Sequence, residues 1–124
     1  MKIPSQYLPV MPYLIIKGSK DFPGFARDVF DADEQLIVPG EDNQIQHGEL
    51  RIGEAVIMFA EASDQWKEKT AAMYMYVESV DDTYRRSLAS GAKSLQSPIQ
   101  QEYGYSAGFE DPFGNHWFIV QGDK

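Results

Sequence analysis

Apolar residues recur along this chain in two rhythms, and the rhythms appear twice in the same order. Pro12 to Lys17 (PYLIIK) reads as a short strand ending at the turn residues Gly18-Ser19. Asp21 is expected to cap a helix with Pro23 in its first turn, where a missing N–H does no harm. Phe22, Phe25, Ala26, Val29 and Phe30 follow at spacings of three and four, the apolar face of that helix. Asp31 to Gln44 is polar, with strand content around Leu36 to Val38. Ile45 to Ile52 and Ala55 to Glu61 then form a predicted hairpin turning at Gly53-Glu54.

The second round begins at Ala71 with the strand AAMYMYVE, ending at Glu78. Asp81-Asp82 are expected to cap a helix carrying Tyr84, Leu88 and Ala89 on one face, and Gly91 to end it. Leu95 and Ile99 lie in a polar stretch before a second hairpin, Tyr103 to Glu110 and Asn115 to Gln121, turning at Asp111-Pro112-Phe113-Gly114. The order β-α-β-β-β therefore occurs twice about 60 residues apart, Gly53 aligning with Gly114 and Ile16 with Val77. The predicted class is α+β: one domain over residues 1–124, built from duplicated βαβββ modules at about 10–62 and 71–122 with a linker at 63–70. A four-stranded sheet with one helix leaves its other face bare. Two curved mixed sheets are therefore expected to enclose a shared cleft, with the helices on the outer faces.

Composition narrows the partners. With 43% apolar and 13% aromatic residues the chain can build a core. Its net charge of −8, uninterrupted by a basic stripe, argues against nucleic acid. No apolar run approaches the ~20 residues that span a bilayer, so no membrane partner is expected. Met1-Lys2-Ile3-Pro4 starts no charged-then-apolar secretory pattern, and the expected location is the cytoplasm. Cysteine is absent, which excludes disulfides, thiol catalysis and thiolate metal sites. GSKDF is not a phosphate-binding loop, Gly104 with Gly108 is no dinucleotide fingerprint, and no hydrolase triad can be defended.

The closing segment EYGYSAGFEDPFGNHWFIV, with its Asp-Pro-x-Gly turn and Trp117, resembles the vicinal-oxygen-chelate superfamily of glyoxalases, bleomycin-resistance proteins and extradiol dioxygenases. HGELRIGEAVIMF, His47 to Phe59, is the other strong piece, and the chain is most similar to the small PhnB-like branch. Tyr105 departs from that branch, which often has a polar or charged residue there. The resemblance implies metal ligands on the first and fourth strands of each module, at or within one residue of Pro12, Met58, Ala72 and Phe118. None of these binds a hard divalent ion. A one-residue slip offers Tyr13, Ile57, Phe59, Ala71, Met73, Trp117 and Ile119, of which only Tyr13 has a conceivable donor. No metal and no cofactor is therefore expected.

Strand alternation puts Val56, Met58 and Ala60, His116, Phe118 and Val120, and Ala72, Tyr74 and Tyr76 toward the cleft. Ile57, Phe59, Trp117 and Ile119 then face the helices. His47, Glu49 and Arg51 share one strand face, and with His116 they suggest a relocated metal site or an acid/base pair. The plainer alternative, an Arg51–Glu49 surface pair and a His47 that only hydrogen-bonds, leads. The candidate ligand contacts are His47, Glu49, Arg51, Met58, Tyr74, Tyr76, Tyr105 and Phe118, the aromatics forming a stacking wall. Ordinary sheet packing accounts equally well for that wall. Trp66, in SDQWKEKT, reads as a lid or, preferably, a dimer contact.

Three functions remain. The favoured one is a metal-independent small-molecule binder that sequesters a cationic or aromatic compound as a homodimer. The alternative is a glyoxalase- or lyase-type enzyme using His47, Glu49 and His116 in a non-standard site. A scaffold whose cleft is filled by Met58, Met73, Met75, Tyr74 and Phe118 is the third.

Overall fold

A computed structural model describes residues 1–122. Its contacts divide into two units, one spanning Met1–Lys69 and one starting at Thr70. Residues 63–69 of the segment read as a linker belong to the first unit, where Lys69 exchanges backbone hydrogen bonds of 2.9 and 3.0 Å with Ile15.

The first unit contains β1 (Tyr13–Ile16), α1 (Phe22–Phe30), β2 (Asp33–Pro39), β3 (Ile45–Ile52) and β4 (Ala55–Glu61). The second repeats them as β5 (Ala72–Val77), α2 (Val80–Ala89), β6 (Lys93–Gln101), β7 (Gly104–Glu110) and β8 (His116–Gln121). Strand orders are β1-β4-β3-β2 and β5-β8-β7-β6, with β1 parallel to β4, β5 parallel to β8 and every other pair antiparallel. The duplication extends to individual pairs: Ile16 lies opposite Glu61, and Val77 opposite Gln121. Both of these polar residues then hold a helix start. Glu61 accepts from Ser19 N at 2.9 Å, and the Gln121 amide oxygen accepts from Val80 N at 3.0 Å.

Each helix covers one sheet face. Phe22, Phe25, Ala26, Val29 and Phe30 are all buried, and Phe22 meets Phe59 edge-to-face at 5.0 Å. In the second unit Trp117, Ile119, Ala107 and Phe109 are buried on the corresponding side. Two capping expectations are corrected. Asp21 precedes α1 but its side chain makes no cap bond, because a short 3₁₀ turn over Ser19–Asp21 leads into the helix and Glu61 satisfies that turn. Ser79, not Asp81-Asp82, caps α2, its hydroxyl accepting from Asp82 N at 3.2 Å. The helix thus begins earlier than expected, and its buried face is Val80, Thr83 and Ser87, while Leu88 and Ala89 are exposed. Gly91, at φ +100°, ends it as expected.

Candidate functional site

The face of the first sheet turned away from α1 carries a connected polar group. Alternation along β3 brings His47, Glu49 and Arg51 to one side, and Glu49 is only 2% exposed. Its Oε2 lies 2.8 Å from His47 Nε2 and accepts from the Tyr7 hydroxyl at 3.0 Å. Its Oε1 accepts from Gln35 Nε2 at 3.1 Å. A β-bulge supplies Gln35: Glu34 pairs with Leu50 and Leu36 with Glu49, which leaves Gln35 as the extra residue, aimed at the carboxylate. Arg51 Nη2 donates to Gln35 Oε1 and to the Gln6 carbonyl, both at 3.0 Å. The expected Arg51–Glu49 surface pair is therefore replaced by an Arg51–Gln35–Glu49 chain around a buried carboxylate. At the other end Tyr13 Oη lies 3.1 Å from His47 Nδ1.

Burial pushes the Glu49 carboxyl up, but hydrogen bonds from His47, Gln35 and Tyr7, with the charge of His47, outweigh it and hold the group below its ordinary range. The Tyr7 phenol is pushed up, first by donating to Glu49 and then by burial and that carboxylate's charge. With Glu49 ionised, His47 Nε2 carries the proton, and a neutral ring leaves Nδ1 to accept from Tyr13. A carboxylate depressed in the folded state adds stability above its unfolded pKa and loses it as pH falls through the folded value. Glu49→Gln is accordingly expected to lower stability by about 1–3 kcal/mol at neutral pH, with the gap from wild type narrowing in acid. Urea midpoints at pH 7 and on the acid limb check this, and a gap that stays constant would refute it.

The corresponding face of the second sheet is aromatic. Tyr74, Tyr76 and Phe118 are 58%, 69% and 41% exposed, and Tyr103, just before β7, is 63% exposed. The Tyr74 and Tyr76 rings meet edge-on at 5.9 Å, as do His116 and Phe118 at 6.3 Å. Partial desolvation, then the neighbouring Tyr76 and Tyr103 phenols, push the Tyr74 hydroxyl up. The Tyr103 hydroxyl accepts from Ser106 Oγ at 3.4 Å, which sets it on the face of Gly108 and Phe118. His116 Nε2 lies 3.0 Å from Glu110 Oε1. Gly108 faces Phe118 as Glu49 faces Met58 in the first sheet. A Cβ on Gly108 would lie 3.2 Å from the Phe118 ring, so the glycine makes room for it. Matching positions thus hold a buried carboxylate in one unit and a glycine under an aromatic ring in the other.

The structure moves one expected wall residue. Tyr105 follows the alternation of the buried Ala107 and Phe109 onto the helix side, where it donates to Asp81 Oδ1 at 2.6 Å. That bond, then desolvation and the charge of Asp81, push its phenol up. Tyr103 is in the aromatic group instead. Counting back by twos from Phe109 would have put it on the helix side with Tyr105, but it lies before β7, ahead of Gly104 at φ +139°, and its hydroxyl accepts from Ser106 Oγ. Val56 and Val120, placed by alternation beside Met58 and Phe118, are buried. Tyr7, Gln6 and Gln35 were not anticipated in the polar group, since two precede the first strand and the third is a bulge residue. Trp66 is exposed on a turn closed by Ser63, whose N donates to the Trp66 carbonyl at 2.8 Å.

The donor set does not fit a hard divalent metal. Pro12, Met58, Ala72 and Phe118 offer no imidazole or carboxylate, and the Tyr13 hydroxyl is engaged with His47. Each histidine pairs with its own carboxylate, His47 with Glu49 and His116 with Glu110. Among the described residues no three His, Asp or Glu side chains gather as a metal-ion set.

Known proteins carry the same architecture. The model of the Glyoxalase/Bleomycin resistance protein/Dioxygenase superfamily matches residues 24–119, and this chain belongs to that superfamily. It is 30% identical over 122 residues to an uncharacterized protein of Mycobacterium bovis, covering 89% of this chain and 80% of that one. Among solved structures it is similar to a PhnB protein of Bacillus cereus, with a TM-score of 0.74 and 15% identity, over 93% of this chain and 100% of the other. It is also similar to the fosfomycin resistance protein FosX of Listeria monocytogenes, with a TM-score of 0.66 and 19% identity, over 94% of each. These two likenesses concern the fold. No helix among the described residues is long and apolar enough to cross a membrane.

Proposed function

We propose that this chain is a small-molecule-binding protein of the glyoxalase and bleomycin-resistance type that works without a resident metal. It takes a cationic or aromatic compound against the open face of its second sheet. The observation that carries this reading is the joint exposure of Tyr74, Tyr76, Tyr103 and Phe118 on one sheet face. Such rings offer stacking faces and cation–π contacts, and the net charge of −8 draws a cation toward them. Two cation–π contacts supply ~1–4 kcal/mol, whereas micromolar affinity needs about −8 kcal/mol, so burial of much of the ligand supplies the remainder. His47, Glu49 and Arg51, with Met58 beside them, are proposed as further ligand contacts on the first sheet. The protein is proposed to act in the cytoplasm as a homodimer, with exposed Trp66 in the interface.

Titration calorimetry against bleomycin and a planar aromatic cation such as N-methylacridinium tests this. Micromolar binding is expected, weakened about fivefold by Tyr76→Ala or Phe118→Ala. No heat at high micromolar protein overturns it. Sedimentation of the same samples is expected to give twice the 14.0 kDa chain mass, and a monomer would remove the dimer.

One observation favours a second reading, a lyase- or isomerase-type enzyme. The Tyr13–His47–Glu49 chain is suited to proton transfer: Tyr13 gives its proton to His47 Nδ1 as it takes one from a substrate, and Glu49 balances the imidazolium. His116, paired with Glu110, lies outside that chain. A bound compound recovered unchanged supports the first reading, and consumption abolished by His47→Gln supports the second.

A further inference from the structure

The residues ahead of β1 lie against the polar face of the first sheet, and they do so as a ligand would. The Tyr7 phenol donates to the buried Glu49 carboxylate at 3.0 Å. The Gln6 carbonyl accepts from Arg51 at 3.0 Å and from Gln35 at 3.4 Å. From Met1 to Met11 the main chain makes no ladder with the sheet; the Pro12 carbonyl, which accepts from Met58 N at 3.0 Å, begins the pairing of β1 with β4. The segment's own backbone bond, Tyr7 N to the Pro4 carbonyl at 3.0 Å, closes a turn within it. Pro4 and Pro9 stiffen it, so this strap has few conformations to lose.

The groups beneath hold one another without it. Glu49 keeps His47 and Gln35, and Arg51 keeps Gln35 and the Glu54 carbonyl at 3.5 Å. Lifting the strap would therefore leave an assembled row consisting of a carboxylate acceptor, an amide and a guanidinium. The fold does not demand this row, since the second sheet has Gly108 where the first has Glu49. An ionised carboxylate shut away from water, on a face whose duplicate does without one, points to recognition.

We propose that Gln6 and Tyr7 are an internal stand-in for a ligand, and that the site beneath them takes a small N-acylated, tyrosine-like molecule. Its phenol donates to Glu49 and its acyl oxygen accepts from Arg51 and Gln35. The strap competes with the ligand, so apparent affinity falls by the fraction of molecules with the strap raised. This extends the ligand contacts proposed on the first sheet and does not depend on the aromatic face, which the Tyr76→Ala titration tests separately.

N-acetyl-L-tyrosinamide reproduces both the Gln6 carbonyl and the Tyr7 ring and serves as the probe, with N-acetyl-L-phenylalaninamide as its control. In the full chain, Tyr7→Ala is expected to bind the tyrosine probe at least about tenfold more tightly than wild type, with no such gain for the phenylalanine control. Tyr7→Phe, which keeps the ring's packing, should lie between and covers the case in which Tyr7→Ala folds poorly. Saturating probe should speed hydrogen exchange in the strap of the wild-type chain. Equal affinities in wild type and both variants, or no binding to any of them, would overturn the proposal. So would an equal gain for the phenylalanine control, which would mark a mere cavity.

Discussion

Asp111→Ala is expected to destabilise the protein by about 4 kcal/mol, equivalent to a fall in melting temperature of about 15 °C for a chain of this size. Asp111 is buried and accepts four hydrogen bonds. Its Oδ1 takes Phe113 N and Asn115 N at 2.9 Å, and its Oδ2 takes Asn115 Nδ2 at 2.9 Å and Trp117 Nε1 at 2.8 Å. Alanine would leave four donors without that acceptor, and an unmade bond to a buried group costs about 1–3 kcal/mol. The damage would spread, because the Asn115 amide oxygen accepts from Ala71 N at 3.0 Å and so ties the β7–β8 turn to the start of β5. Asp111→Asn, which retains an acceptor oxygen, is expected to lose about half as much. Urea unfolding of the two variants beside wild type decides the matter. A loss under about 1 kcal/mol for the alanine variant would mean that water replaces the carboxylate.

The same turn shows what the sequence could and could not disclose. Asp-Pro-Phe-Gly announced a reversal, and the duplicated apolar rhythm announced the β-α-β-β-β order on both sides of it. Pairs such as Ile16–Glu61 and Val77–Gln121 follow from that repetition. That the Asp111 carboxylate also takes the Trp117 indole depends on where the chain returns after the turn, which no local pattern encodes. Ser79 was legible: Ser79-Val80-Asp81-Asp82 has the Ser-x-x-acid form of a helix start, and the acidic pair after it drew attention from the true cap. The buried face of α2 was harder, since Thr83 and Ser87 are polar by type and are buried by position.

The candidate site divides along the same line. His47 and Glu49 were visible because residues two apart on a strand share a face, and Tyr74, Tyr76 and Phe118 because strand alternation repeats. The cover over Glu49 was not visible. It comes from a β-bulge at Gln35 and from a segment with no periodicity at all, and only their convergence turns an apparent surface acid into a buried, ionised one. Duplication supplied two equal sheet faces, and substitution then made them chemically unlike: one became a hydrogen-bonded carboxylate, the other a patch of rings over glycine.

A second glycine carries the other large expected effect. Gly48 lies opposite Phe59 on the helix side of the first sheet, and a Cβ added there would overlap the outer edge of the Phe59 ring. The ring has little freedom to yield, being fully buried and set edge-on against Phe22 at 5.0 Å. Gly48→Ala is therefore expected to cost about 3 kcal/mol, at the upper end of the range for overpacking, even though alanine is no worse than glycine as a strand residue. The mechanism predicts its own relief. Phe59→Leu alone leaves a void and destabilises, but in the double variant leucine vacates the volume that the new methyl needs. The two substitutions should then be less costly together than their sum, by at least about 1 kcal/mol. Additive losses in a double-mutant unfolding cycle would show that the methyl is accommodated by backbone movement and that the Phe59 ring is not the obstacle.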